Sequence, residues 1–188
     1  AIWLGQTALE SIRAGAVQDA TGSRIDISSR VRDASDCKES IPPDESLNVP
    51  LTPEFEETRV CVVNDTTLSV AHRLVARDDR AAALNFANGV QPGGGFLNGA
   101  QEEALCRSSA LYATLRSDPM YEAHREQETP MASSNWVIRS PSVPVFRTND
   151  GSPEEAPWYL TFLTCAAPFA PHVGQPMSHE LLDARIRR

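Results

Sequence analysis

Glu102 and Glu103 stand side by side behind Gln101, and Ala104, Leu105, Ser108, Leu111, Tyr112 and Leu115 continue from them at helical spacing. Residues 96–100 separate this start from Gly93, Gly94 and Gly95. Three positions without a Cβ let the backbone turn tightly, reach positive φ and lie directly against a ligand. Each piece alone is ordinary. A triple glycine is most often a flexible loop, and an acidic pair opening a helix is most often a favourable first-turn charge. Together they deliver two carboxylates and a carboxamide to a helix N-terminus beside a ligand-hugging loop. That equipment suits the cutting of a glycosidic bond. The reaction passes through an oxocarbenium-like state. It needs a proton for the leaving oxygen, a base for water and negative charge near the cation. Two influences on the carboxyls oppose each other: a helix N-terminus favours the ionised form, and an adjacent like charge disfavours it.

These groups need a scaffold. Ala81, Ala82, Ala83, Leu84 and Phe86 form a short apolar run that predicts a buried parallel strand. Asn85 and Asn88 sit at its carboxyl end, where ligands bind in open α/β sheets, and Pro92 ends the regular structure. Upstream, residues 60–63 predict a second buried strand. Residues 64–67 supply N-cap chemistry for a helix running through Arg77, with Leu68, Ala71, Leu74 and Val75 inward. The three pieces make a β-α-β unit with a right-handed crossover. At the start of the chain, Leu4, Ala8, Leu9 and Ile12 predict a helix that already includes Ala1 and stops at Gly15. Residues 22–32 predict a short strand, 33–53 a surface loop and 117–134 a polar, irregular stretch. Residues 136–138, 143–146 and 159–164 predict three further strands, with a turn at 149–153. Pro168 and Pro171 precede a last helix from Ser178 to Arg188.

At 188 residues the chain fits one domain with a sizeable core. A net charge of −8 argues against a general DNA or RNA binder, although glycine-loop amides and a helix N-terminus can still hold an anionic nucleotide. No apolar run approaches the roughly 18 residues of a membrane span, and no signal peptide is visible, with the true start left open by the absent initiator Met. Cys37, Cys61, Cys106 and Cys165 are scattered without CxxC pairing. This argues against a metal site and fits an intracellular, reducing compartment, cytoplasm or nucleus. No GxSxG occurs, and no Cys–His pair can be argued. His72, on the helix of the β-α-β unit, reads as a surface or core residue, and His124, His172 and His179 lie in polar or loop contexts with no evident partner.

The order GGG, spacer, QEE, with its neighbours NFAN, PGGGFLNGA and EEALCRSSALY, resembles the poly(ADP-ribose) glycohydrolases of bacterial and fungal type, which have the macrodomain fold. LGQTALESIRAG resembles that family's first helix, and TCAAPFAPH its later strand and loop. The resemblance implies an α/β fold, a three-layer α/β/α macrodomain-like domain with a mixed central sheet spanning residues 1–188. It implies an enzyme that hydrolyses ribose–ribose O-glycosidic bonds in poly(ADP-ribose) and releases ADP-ribose. The alternative is an ADP-ribose reader or a mono-ADP-ribosyl-protein hydrolase. Glu103 matches the family's acid/base residue and Glu102 the partner that holds ribose hydroxyls. Asn88, Gly93, Gly94, Gly95, Phe96 and Gln101 fall on the ADP-ribose-binding positions, with Gln101 shaping the loop. Phe96, Phe169 and Tyr112 are candidates to stack on adenine or ribose, although such side chains are more often core; Phe96 is the best placed because it adjoins the glycines. A bound diphosphate would help to protonate Glu103. The implied partners are ADP-ribose polymer or ADP-ribosylated proteins, met by a monomer with no cofactor, no metal and no DNA or membrane contact. The family's spacer after the glycines is usually longer. The tighter loop here predicts a preference for terminal over internal ADP-ribose units. The family also continues past the last helix into a strand–loop–helix unit with a diphosphate-binding loop; no such loop is found in these residues, so the chain is a fragment, or its site is incomplete, or the family's geometry does not carry over.

Overall fold

The computed structural model describes residues 2–46, 52, 55–96 and 99–186. α1 (Ile2–Ala14) ends at Gly15, and the chain turns into a two-stranded antiparallel ribbon of β1 (Ala16–Gln18) and β2 (Arg24–Asp26). α2 (Ser28–Asp36), β3 (Glu39–Ile41), α3 (Thr67–Val75) and β4 (Ala82–Phe86) follow. Beyond the glycine turn come α4 (Gln101–Ser108), α5 (Leu111–Leu115) and α6 (Pro119–Arg125). The long strands β5 (Val137–Arg147) and β6 (Pro153–Cys165) precede α7 (Ala170–Val173) and α8 (Met177–Ile186).

The main sheet has the order β3-β5-β6-β4. β5 pairs antiparallel with both β3 and β6, while β4 joins β6 in parallel, so the sheet is mixed. The register sets Leu84 beside Leu163 and Asn85 beside Thr164. Side chains alternate along a strand. Ala83, Asn85, Phe162 and Thr164 are therefore buried in the interior, while Leu84, Phe86 and Leu163 point the other way and stay exposed. Leu105 and Leu111 on the helices pack with Ile138, Val143 and Phe162 on the sheet. Each such side chain contributes roughly 1.5–3 kcal/mol by leaving water.

Several local expectations change. Residues 60–63 form no strand, and Val60, Val62 and Val63 are exposed. The parallel neighbour of β4 is instead β6, paired across 79 residues, and the β-α-β unit is reduced to α3 and β4. The predicted N-cap stands: the Thr66 hydroxyl accepts from Ser69 N–H at 3.2 Å. Within the predicted 33–53 loop, the end of α2 buries Ala34, and 39–41 becomes β3 because β5 offers it an edge; residues 47–51, 53 and 54 lie outside the described residues. The stretch 117–134 is not irregular throughout. Asp118 accepts from Met120 N–H, Pro119 opens α6, and Met120, Tyr121 and His124 are buried. The expected continuous helix from 101 to 115 breaks at Ser109, which is extended at φ −144°. There Ser109 Oγ donates to Leu105 O and accepts from Leu111 N–H, so the break leaves those groups paired. The three expected later strands are two, because 137–138 and 143–146 belong to one bulged strand. Ala1, Arg187 and Arg188 lie outside the described residues.

Candidate active site

The site is assembled where β4 ends and α4 begins. Gly93, Gly94 and Gly95 have φ of 68°, 58° and 76°, the left-handed region that a Cβ disfavours, and Phe96 follows at 62°. Four consecutive left-handed residues fold the chain tightly back toward the helix. The close approach is greatest at Gly94: a Cβ there would stand 2.3 Å from Glu103 Oε1 and 2.6 Å from its carboxyl carbon. The turn is thus the seat of the Glu103 carboxyl.

The two carboxyls differ sharply in their partners. Glu102 is buried and accepts Asn88 N–H on Oε2 at 2.7 Å and Gly93 N–H on Oε1 at 3.1 Å. The Asn85 carboxamide reaches Oε1 at 3.5 Å and donates to Thr164 Oγ1 at 3.1 Å. Glu102 therefore ties the strand end to the glycine turn. Glu103 is equally buried, and its Oε2 has no hydrogen-bond partner among the described residues. An unpaired buried oxygen costs stability wherever it only fills space. Here it belongs to a residue that lines the large cleft.

Burial, the largest influence, pushes the Glu102 carboxyl up to about 7, against the lowering effect of the Asn88 and Gly93 amides and the Asn85 side chain, with the Glu103 charge adding to the rise. Burial likewise raises the Cys106 thiol and the Tyr121 phenol behind the pair.

Asn88 keeps the turn compact. Its Oδ1 accepts Val90 N–H at 3.0 Å and Gln91 N–H at 2.9 Å. Gln101 does not enter the cleft wall. Its carboxamide accepts Phe86 N–H at 2.9 Å and donates to Leu84 O at 2.7 Å, so one side chain takes the place of a neighbouring strand on the edge of β4. Phe96 also differs from a stacking role: its ring packs edge-on against Tyr112, 5.1 Å between centroids, and lies over Gly5 of α1. It is an inward anchor for the turn, held there by the left-handed backbone. Phe169, by contrast, is half-exposed and lines the cleft. In the spacer after the glycines, residues 97 and 98 lie outside the described residues.

The cleft has a volume of about 1340 Å³. The exposed face of the sheet, with Leu84 and Phe86, forms an apolar part of its wall, while Asn88, Gly94, Glu102 and Glu103 supply the polar groups. An apolar wall with a few convergent polar groups is the usual character of a small-molecule site, here roomy enough for a dinucleotide. The sequence placed Asn85 only at the ligand end of its strand and gave His124 little signal at all. Asn85 is a polar residue at an inward strand position, and His124 is buried with both ring nitrogens bonded, where the sequence showed it no partner. The Asp118–Pro119 helix start was the readable clue to the second. No group of three or more His, Cys, Asp or Glu side chains converges to hold a metal among the described residues, and none of their helices is long and apolar enough to cross a membrane.

Residues 5–148 match the family model described as microbial-type PARG, catalytic domain. The chain belongs to that family. The poly(ADP-ribose) glycohydrolase of Thermomonospora curvata, solved as a glutamate-to-alanine mutant, is 35% identical with a TM-score of 0.85, over 98% of this chain and 71% of that one. The same enzyme bound to the inhibitor ADP-HPD is 34% identical, again with a TM-score of 0.85 over 98% and 71% of the two chains. The Deinococcus radiodurans poly(ADP-ribose) glycohydrolase in complex with ADP-ribose is 32% identical with a TM-score of 0.68, over 81% of this chain and 64% of that one. A search among curated proteins returned no match. This PARG-family chain is thus a glycosidase-class hydrolase, and its mixed sheet with packed helices is the macrodomain-like fold expected from the sequence.

Proposed function

We propose that this chain cleaves the ribose–ribose O-glycosidic bond of poly(ADP-ribose) and releases ADP-ribose, with Glu103 as the general acid and base. The observation that carries the assignment is the unequal pairing of the two carboxyls. Both residues line the cleft, but both Glu102 oxygens bind the protein's own amides, whereas Glu103 Oε2 is buried and unpaired among the described residues. Glu103 gives its proton to the departing ribose oxygen as the C1–O bond breaks. The resulting carboxylate takes a proton from the attacking water, whose oxygen bonds to C1, and the residue returns to its starting state. Glu102 keeps the turn and strand end in register and still has acceptor capacity for a ribose hydroxyl. Asn88 and Gly94 line the cleft, so the backbone of the turn lies along the substrate's path, with the Gly93 amide given to Glu102 and the Gly94 amide to Gln91 O.

Hydrolysis of labelled poly(ADP-ribose) by wild type and by Glu103→Gln tests the assignment. A loss of about 10²–10⁴-fold is expected, with ADP-ribose binding retained. Equal rates would remove Glu103 from the chemistry. Tight ADP-ribose binding by a wild type that forms no product would make the protein a reader instead.

A further inference from the structure

We infer that His124 of α6 is a positioning residue for this site, holding two adjoining cleft-lining segments in register through one ring. The inference rests on the site assignment above. His124 is fully buried, and a buried imidazole is tolerated only when both nitrogens are bonded. Its bonds are not local. Nδ1 lies 2.8 Å from Gly89 O, 35 residues back, and Nε2 lies 2.6 Å from Ser134 Oγ, 10 residues on. Gly89 and Ser134 both line the cleft.

The geometry fixes the proton. A carbonyl oxygen can only accept, so Nδ1 carries the hydrogen. Ser134 Oγ accepts from Trp136 N–H at 3.3 Å, which leaves its own hydrogen for Nε2. The Trp136 indole stands edge-on to the imidazole, with an interplanar angle of 89° and centroids 6.4 Å apart, and fixes the ring plane.

The held segment is the one that orients the Glu102 carboxyl. Gly89 follows Asn88, whose N–H binds Glu102 Oε2 at 2.7 Å. A chain of contacts therefore runs from α6 through His124 and the Asn88–Gly89 backbone to Glu102, and on to the glycine turn through Gly93 N–H. The join leaves no slack. A Cβ at Gly89 would stand 2.3 Å from Ser133 Oγ, and Ser133 itself has φ 58° and ψ −163°, a region nearly reserved for glycine. The next α6 residue, exposed Arg125, donates to Val90 O at 2.8 Å and grips the loop a second time. A histidine serving packing alone has no reason to bond two cleft-lining segments distant in sequence through both ring nitrogens.

His124→Leu removes both bonds at similar volume. His124→Asn keeps a donor for Gly89 O, since its Nδ2 sits near the place of Nδ1. The Leu variant is expected to lose at least tenfold in kcat, with KM changed less than threefold, because a small misplacement of catalytic groups is costly. The Asn variant should recover much of that loss. Amide hydrogen exchange supplies a readout that needs no turnover. Peptides covering residues 88–93 should exchange at least tenfold faster in the Leu variant, while those of β5 and β6 keep their wild-type rates. Wild-type kinetics and exchange in His124→Leu would overturn the inference, as would exchange accelerated evenly along the chain. Should wild type itself fail to cleave polymer, the exchange comparison still decides the role of His124, and the failure falls on the proposed activity.

Discussion

Gly94→Ala places one methyl group where the Glu103 carboxyl now lies. The added Cβ would sit 2.3 Å from Oε1, a distance that real contacts do not show. The carboxyl must retreat by roughly 0.7 Å to reach 3.0 Å, or the turn must open. The left-handed φ of 58° adds a separate penalty of about 1–2 kcal/mol for a residue with a Cβ. The two effects separate experimentally. The backbone term lowers stability, whereas the displaced carboxyl lowers kcat, since a misplacement approaching 1 Å costs on the order of 10² in rate. The assay is steady-state release of ADP-ribose from labelled polymer at a temperature where the variant is fully folded by circular dichroism. Gly22, also left-handed, has nothing within 4 Å of a built Cβ, so Gly22→Ala is the control for strain without displacement. It should cost stability and leave kcat unchanged. A folded Gly94→Ala protein with kcat within threefold of wild type would refute the claim that the turn seats Glu103.

Other perturbations probe the supports of the same site. Glu102→Gln presents an NH₂ to one of two backbone N–H donors, Asn88 or Gly93, and should cost about 1–3 kcal/mol in denaturant unfolding. The wild-type protein should also lose stability with rising pH. The Glu102 carboxyl is raised to about 7 from 4.5, so the folded state favours the neutral form; its contribution is complete below the unfolded value and is lost as pH rises through the folded one. That contribution is on the order of 3 kcal/mol. The midpoint difference between wild type and Glu102→Gln, followed from about pH 5 to about pH 8.5, should therefore shift against wild type, and a constant difference would contradict the buried-acid account. Gln101→Leu uncovers Leu84 O and Phe86 N–H on the edge of β4 and should lower stability by about 1–2 kcal/mol and promote self-association, measured by thermal melting and light scattering.

The chemistry of this protein was more legible in its sequence than its scaffold. Gly93, Gly94, Gly95, Glu102 and Glu103 are local in the chain, and glycine conformation and helix-start placement follow from neighbours a few residues away. The edge of β3 and the parallel partner of β4 are set by β5 and β6, nearly a hundred residues from β3 and about 79 from β4, and no local period reveals them. The apolar run at 60–63 has a strand's composition without a strand's partner. Burial was hidden too. The first turn of a helix and a neighbouring charge are visible in a sequence, but the loss of water around Glu102 is not, and that loss is the largest influence on its carboxyl. Phe96 was misleading for a related reason: adjacency to the glycines says nothing about which way a left-handed residue throws its ring, and here it goes toward Tyr112.

A crystal structure of Glu103→Gln with ADP-ribose soaked into the cleft tests the central claim most directly. The account predicts the residue-103 carboxamide within about 2.6–3.2 Å of the oxygen on C1 of the distal ribose, with Glu102 still bound to the Asn88 and Gly93 amides. A ribose whose C1 oxygen meets Glu102 instead, or ADP-ribose seated away from the glycine turn, would contradict it.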